Sequence, residues 1–79
     1  MKVYIRSLMG NHWTVSGLDP DSTVQFLKRM IRIKCGIMPH LQVLTHRSRA
    51  LEDAHTLERC GIQSHTTIDL TVRTLTGIR

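Results

Sequence analysis

The chain of 79 residues contains few cysteines that could form disulfide bonds or bind zinc. Its two cysteines, Cys35 and Cys60, stand 25 residues apart and lack Cys-x-x-Cys spacing. They are too few for a disulfide framework and lack zinc-site spacing, which predicts reduced thiols in an intracellular protein. No apolar run reaches the length of a secretory signal or a membrane span. The sequence therefore predicts a cytoplasmic or nuclear protein that does not associate with membranes.

Aromatic residues are also scarce, and none stands among the arginine-rich segments. Tyr4, Trp13 and Phe26 are the three aromatics, while eleven Lys and Arg against six acids give a net charge of +5. A basic surface that binds nucleic acid usually places aromatic side chains among its positive charges. The composition favours an ordinary globular domain over a nucleic-acid binder.

The sequence also lacks the patterns of a catalytic, metal or cofactor site. Five histidines occur singly, without metal-ligand spacing to one another or to a cysteine: His12, His40, His46, His55 and His65. No histidine stands near either cysteine in a nucleophile pattern, and no Gly-rich phosphate loop is present. We expect a protein that is not an enzyme, with no catalytic residues, no metal, no cofactor and no small-molecule substrate.

One helix and several short strands can be read from the apolar pattern. Residues 18–37 predict the helix, with N-cap candidates at 21–23 and a left-handed C-cap at Gly36. Val24, Leu27 and Ile31 form its core stripe. Alternation predicts strands in "KVYIRSL", "HWTVSGL", "LQVLTHR", "RAL" and "TTIDLTVR", and a bulge at Gly17 would return Leu18 to the inner face. This order indicates an α+β domain in which one helix covers one face of a mixed sheet.

Several segments carry a resemblance to a known family over almost the whole chain. They are "MKVYIRSLMG", "TVQFLKRMIRIKCGI", Pro39 and "ALEDAHTLERCGIQSHTTIDLTVR", within which Leu51-Glu52-Asp53, Thr56-Leu57, Gly61-Ile62-Gln63 and Thr67 keep near-constant spacing. In this order they resemble ubiquitin and the ubiquitin-like (β-grasp) domains. The resemblance implies a mixed sheet of four to five strands with one helix packed across one face. It implies a domain over residues 1–74 and a flexible tail over 75–79.

The resemblance also implies a core, which agrees with the apolar pattern. Fourteen positions are predicted to be buried: Val3, Ile5, Trp13, Val15, Leu18, Val24, Leu27, Ile31, Leu44, Leu51, Leu57, Ile62, Ile68 and Leu70. Cys60 departs from the family, which has a tyrosine there whose hydroxyl ties down the long loop. We expect this loop to be looser here.

The C-terminal tail departs from that of conjugated family members, which end in two glycines. Arg73 matches a basic position that activating enzymes of the family read, but Thr76 and a single Gly77 stand where the glycine pair should be, and two residues follow. A side chain at Thr76 would clash in the narrow channel of an activating enzyme. We expect no activation of this tail as written, although removal of residues 78 and 79 would expose Gly77.

The family's apolar docking patch on the outer face of the sheet is also changed. Of its matching positions, Leu8 alone is apolar; the others are Thr45, Asp69 and Thr71. The surrounding positions are Arg6, Val43, Arg47, Arg49 and Arg73. The resemblance therefore implies a protein-interaction face that ordinary ubiquitin-binding modules bind weakly or not at all, and a solvated face without a partner is the alternative.

A second apolar stripe on the helix is a further candidate interaction surface. Phe26, Met30 and Ile33 recur at i, i+4 and i+7, about 110° from the core stripe. This stripe either packs against loops or contacts a protein partner.

Three functions stay open at this point. We expect a monomeric, non-catalytic interaction domain whose protein partners belong to the ubiquitin or proteasome pathway. The first alternative is a protein modifier that needs C-terminal processing, or the N-terminal lobe of a two-lobed modifier. The second is a basic surface that binds nucleic acid or acidic partners.

Overall fold

The computed structural model describes residues 1–73. Its strands are β1 (Val3–Ser7), β2 (His12–Val15), β3 (Gln42–His46), β4 (Arg49–Ala50) and β5 (Thr67–Val72). The helix α1 covers Val24–Cys35, and a short 3₁₀ helix covers Pro39–Leu41. Residue 74, the predicted end of the domain, and Gly77, in the predicted tail 75–79, lie outside the described residues.

The five strands form one mixed sheet in the order β2-β1-β5-β3-β4. β1 and β5 pair in parallel at the centre, while the other pairs are antiparallel. α1 packs across one face of this sheet, so the predicted β-grasp α+β fold is confirmed. None of the helices within the described part of the chain is both long and apolar enough to cross a membrane.

The core lies between α1 and the inner face of the sheet. Twelve of the fourteen predicted core residues are buried: Val3, Ile5, Val15, Leu18, Val24, Leu27, Ile31, Leu44, Leu57, Ile62, Ile68 and Leu70. Trp13 and Leu51 are half-buried and pack against this cluster. At about 1.5–3 kcal/mol for each large buried side chain, these contacts supply most of the favourable free energy of folding.

The helix begins and ends where its local chemistry requires. Thr23 is the N-cap, and its Oγ1 accepts a hydrogen bond from the Phe26 N–H at 3.1 Å. Gly36 is the C-cap in the left-handed region, with φ of 80°, and its N–H donates to the Arg32 carbonyl. Both caps lie within the residues that the sequence indicated.

Two strands depart from what their apolar pattern predicts, β2 in its length and β5 in the burial of its last residue. β2 ends at Val15, so the predicted strand "HWTVSGL" is shorter in the structure and Gly17 lies in a turn after it. Gly17 has φ of +79°, and the turn there brings Leu18 back into the core, where its N–H donates to the Met1 carbonyl. Val72, the last residue of β5, is 53% exposed although it shares its strand face with buried Leu70.

Candidate functional site

The outer face of the sheet, opposite α1, carries the predicted interaction residues of β1, β3 and β5. Strand register aligns Thr45 with Asp69, Asp69 with Arg6, and Arg6 with His12. One row of polar side chains therefore crosses four strands. Because side chains alternate along a strand, the same face also carries Val43 beside Thr71.

An ion pair occupies the middle of this row. Arg6 Nε donates to Asp69 Oδ1 at 2.8 Å, and the two side chains are 54% and 35% exposed. The hydrogen bond that Arg6 donates to the Asp69 carboxylate is the main cause of a raised Arg6 pKa, and the negative charge of Asp69 adds to it. The parallel β1–β5 register places the two residues opposite each other, so the centre of the face is charged but internally paired.

Threonine hydroxyls surround the ion pair. Thr71 Oγ1 donates to the Val43 carbonyl at 3.4 Å, and both residues are half-buried within the sheet. Thr45 lies beside Asp69 on β3. The predicted face is therefore polar at its centre, and an incoming apolar side chain would meet hydroxyl and charged groups there.

Apolar side chains gather at one end of the sheet instead. A cavity of about 250 Å³ is lined by Ser7, Leu8, Met9, Leu70, Thr71 and Val72. We call this the apolar groove. Leu8 and Met9, in the turn after β1, are 78% and 87% exposed.

Met9 and Val72 were not among the residues that sequence reasoning assigned to a site. Val72 belongs by alternation to the inner face, but it is the last residue of β5 and is exposed. Met9 stands next to Leu8 in a glycine-containing turn, and this adjacency in the sequence could have assigned Met9 to the same apolar surface as Leu8.

Three predicted arginines lie away from the centre of the outer face. Arg47 is in the β3–β4 turn and Arg49 in β4, at the edge of the sheet. Arg73 follows β5, where its N–H donates to the Leu41 carbonyl at 2.7 Å. It lines a cavity with Lys28 and Asp53, apart from the Arg6–Asp69 pair.

The structure separates the three residues of the helix stripe. Phe26 is 42% exposed and Ile33 is 79% exposed. Met30 is half-buried and packs against the core cluster. The stripe therefore exposes its two ends, while its middle residue contributes to the core.

Two buried polar residues were not predicted, because an apolar pattern does not mark a buried polar side chain. Lys28 is buried, and its Nζ lies 2.6 Å from Asp53 Oδ1. Gln42 is fully buried and donates from Nε2 to the carbonyls of Lys28 and Ile37. Both join α1 to neighbouring segments, which assigns them a structural role.

The described residues offer no group of three or more His, Cys, Asp and Glu side chains that could hold a metal ion. Cys35 and Cys60 are free and half-buried. Burial raises the pKa of Cys60, as does Glu52, while nearby Arg59 lowers it. Its thiol is therefore less ionised than an exposed one, which is unfavourable for a nucleophile.

Comparison with known proteins gives the same family as the geometry. The model of the ubiquitin family matches residues 3–75. The chain is 35% identical over 57 residues to the "Ubiquitin-like protein NEDD8-like protein 2" of Dictyostelium discoideum, a match that covers 72% of this chain and 71% of that protein. With the helix packed on a five-stranded mixed sheet, these matches show that the chain belongs to the ubiquitin family.

Proposed function

We propose that this chain is a non-catalytic protein-interaction domain of the ubiquitin or proteasome pathway that is not conjugated through its own C-terminus. One observation carries the proposal: the Arg6–Asp69 ion pair occupies the centre of the outer face, while exposed apolar side chains gather in the groove at one end of the sheet. This arrangement supports a recognition domain that binds its partner at the groove and not at the centre of the outer face.

The ion pair disfavours apolar docking at the centre of the face. An aliphatic anchor placed there would remove water from Asp69, Arg6 and the neighbouring threonine hydroxyls. Each polar group left without a partner costs about 1–3 kcal/mol, and desolvating an ion pair adds a further penalty. Modules that bind an aliphatic face should therefore bind this one weakly.

The apolar groove offers the opposite chemistry. Leu8, Met9 and Val72 are all more than half exposed and line one cavity. Exposed apolar side chains that lie together commonly mark protein interfaces. An aliphatic or aromatic side chain of a partner could remove them from water, and methionine adapts readily to different shapes.

Binding measurements test this proposal. Purified proteasome and a panel of isolated ubiquitin-binding modules would be titrated with the protein. We expect the modules that dock on an aliphatic face to bind weakly, and a partner to bind through the groove. Replacing Leu8 and Met9 with Ser should weaken that binding about 10-fold or more, because each lost apolar contact is worth ~1 kcal/mol or more.

Ile33→Ser is the control, because it removes an equally exposed aliphatic side chain from the helix and leaves the groove unchanged. We expect it to leave the binding unchanged. If Ile33→Ser weakens binding and the Leu8/Met9 variant does not, the helix stripe is the interface and the groove is excluded. Absence of binding to the proteasome and to every module would contradict the proposal as a whole.

A second candidate, a processed modifier, is favoured by the similarity to a NEDD8-like protein and by the basic residue at Arg73. The sequence of the tail supports the first candidate instead, because Thr76 carries a side chain where the resemblance calls for glycine. An assay with an activating enzyme of the family separates the two. We expect no thiol-reducible adduct from the chain that ends at Arg79, and an adduct from a chain ending at Gly77 would support the modifier.

A further inference from the structure

Two adjoining cavities open between the β3–β4 hairpin and the loop that follows it. Their volumes are about 240 and 440 Å³, and His46, Arg49 and Cys60 line both. Arg59 lines the smaller cavity and Arg47 the larger one. We call the two together the arginine cleft.

Backbone geometry and a small side chain keep this cleft open. Arg47 and Ser48 both have positive φ, 54° and 67°, which is the conformation of a tight two-residue hairpin turn. This turn holds Arg47 at the tip of the hairpin, and Arg47 lines the larger cavity together with Arg49 of β4. Cys60, on the opposite loop, lines both cavities, and a larger residue at this position would fill the space between them.

The cleft carries positive charge that the described part of the protein does not neutralise. Arg47, Arg49 and Arg59 form no ion pair within residues 1–73, in contrast to Arg6 and Lys28. Glu52 is the one acid of the lining, and its carboxylate lies 3.7 Å from His55 Nε2. Three arginines and one glutamate give the charged lining a net charge of +2.

The residues of the cleft favour one class of ligand. Arginine forks bind phosphate and carboxylate oxygens through paired N–H donors. The lining includes no Phe, Tyr or Trp on which a nucleic-acid base could stack. A monoester phosphate carries about −1.5 to −2 charges, which matches the +2 of the cleft better than a single carboxylate does.

We propose that the arginine cleft binds a phosphate monoester carried on a peptide segment of a protein partner. Arg49 lines both cavities, together with Arg59 in the smaller and Arg47 in the larger, and is the central contact of the proposed site. The cleft shares no residue with the apolar groove. The proposal goes beyond the proposed function, because it concerns a different surface. A variant that disrupts one surface should leave the other intact, so the two proposals can fail independently.

A titration followed by NMR amide shifts tests the proposal at fixed ionic strength. The probe is a short capped peptide whose only charge is a central phosphoserine, compared with its unphosphorylated form and with inorganic phosphate. We expect the phosphopeptide to shift the amides of Arg47, Arg49, Arg59 and Gly61. We expect the unphosphorylated peptide to give no such shifts and inorganic phosphate to bind more weakly.

Three variants distinguish specific binding in the arginine cleft from non-specific attraction of the phosphopeptide to a positively charged protein. Arg49→Gln should weaken binding of the phosphopeptide about 5- to 10-fold, because it removes one charge-assisted contact. Arg29→Gln removes the same charge from an exposed position on α1 and should leave binding unchanged. Cys60→Tyr keeps every charge but fills the cleft, and should also weaken binding.

Several results would overturn the proposal. Equal weakening by Arg29→Gln and Arg49→Gln would show only a general effect of net charge. Inorganic phosphate that binds as tightly as the phosphopeptide would exclude a partner segment as the source. A single-stranded oligothymidylate that shifts the same amides at lower concentration would assign the cleft to nucleic acid. If Cys60→Tyr does not fold, the two arginine variants, both at exposed positions, still decide the matter.

Discussion

A glutamine occupies one of the most buried positions of the protein. Gln42 has no exposed surface, and its Nε2 donates at 2.8 Å to the Lys28 carbonyl and at 2.9 Å to that of Ile37. Its Oε1 has no partner among the described residues. A hydrophobic pattern cannot identify such a position, because the reason for its burial is two carbonyl groups on other segments. Sequence reasoning found the apolar core and missed this polar link within it.

Cys60 gives a pH-dependent prediction at the same scale. Burial raises its pKa in the folded protein, so the native state holds the thiol proton more tightly than the unfolded chain does. The stabilisation from this group is complete below the pKa of an unfolded thiol and is lost as pH rises through the folded pKa. In a Cys35→Ser background, the pH midpoint of iodoacetamide alkylation should lie higher for folded than for urea-unfolded protein.

Arg59→Gln provides the internal check on this prediction. Arg59 lowers the pKa of Cys60, so its removal should move the alkylation midpoint of the folded protein further upward. A folded midpoint at or below that of the unfolded chain would contradict the assignment of burial as the main cause.

At the scale of elements, the long loop after β4 completes the N-terminus of α1. The Val24 N–H donates to the His55 carbonyl, and the Gln25 N–H donates to the Asp53 carbonyl. Thr23 accepts from the next two helical residues, through Oγ1 for Phe26 and through its carbonyl for Leu27. The three N–H groups at the start of α1, those of Val24, Gln25 and Phe26, are therefore satisfied, two of them by the loop, and the Leu27 N–H makes the first intrahelical hydrogen bond.

Removing the cap should weaken this junction by a measurable amount. We expect Thr23→Ala to lower the free energy of unfolding by about 1 kcal/mol, the usual value of a lost N-cap hydroxyl. Thr23→Ser is the matched control, because it keeps the hydroxyl, and it should retain most of the stability. Urea denaturation measures both. Equal losses in the two variants would show that the methyl group, and not the hydrogen bond, is responsible.

The boundaries of the elements show where alternation stops being informative. Ile68 and Leu70 are buried on the inner face as their spacing predicts, but Val72, which has the same spacing at the end of β5, is exposed. Similarly, β2 stops at Val15 because the chain turns at Gly17. Spacing assigns a side chain to a face, whereas burial depends on what lies opposite that face.

At the scale of the whole molecule, the outer face depends on contacts between strands that are distant in sequence. The pattern and the resemblance placed Arg6 and Asp69 on one face, but their 2.8 Å contact requires a parallel register between residues 63 positions apart. The apolar groove likewise requires the β1–β2 turn to meet the end of β5. The sequence therefore predicted the fold and most of the face, but not which side chains touch.

The outer face should bind modules that dock on an aliphatic face if its polar central residues are replaced by less polar ones. We expect the triple variant Thr45→Ile, Asp69→His and Thr71→Val to bind modules specific for an aliphatic face about 10-fold or more tightly than the unmodified protein. The physical reason is that the anchor would no longer desolvate Asp69 and two hydroxyl groups. Isothermal titration with one such module measures the gain.

Thr67→Val serves as the control, because it adds an aliphatic side chain to the same outer face at the exposed start of β5. It should leave the affinity unchanged. If the triple variant folds and gains nothing over the unmodified protein, the ion pair is not what prevents docking.

The parallel pairing of β1 with β5 has a mechanical consequence. The first and last strands lie side by side and run in the same direction, from Tyr4 opposite Thr67 to Ser7 opposite Leu70. Tension applied to the two ends of the chain pulls these neighbours past each other along their length. The load is then shared by the whole ladder of hydrogen bonds in shear, whereas an antiparallel pair pulled from adjacent ends would open one bond at a time.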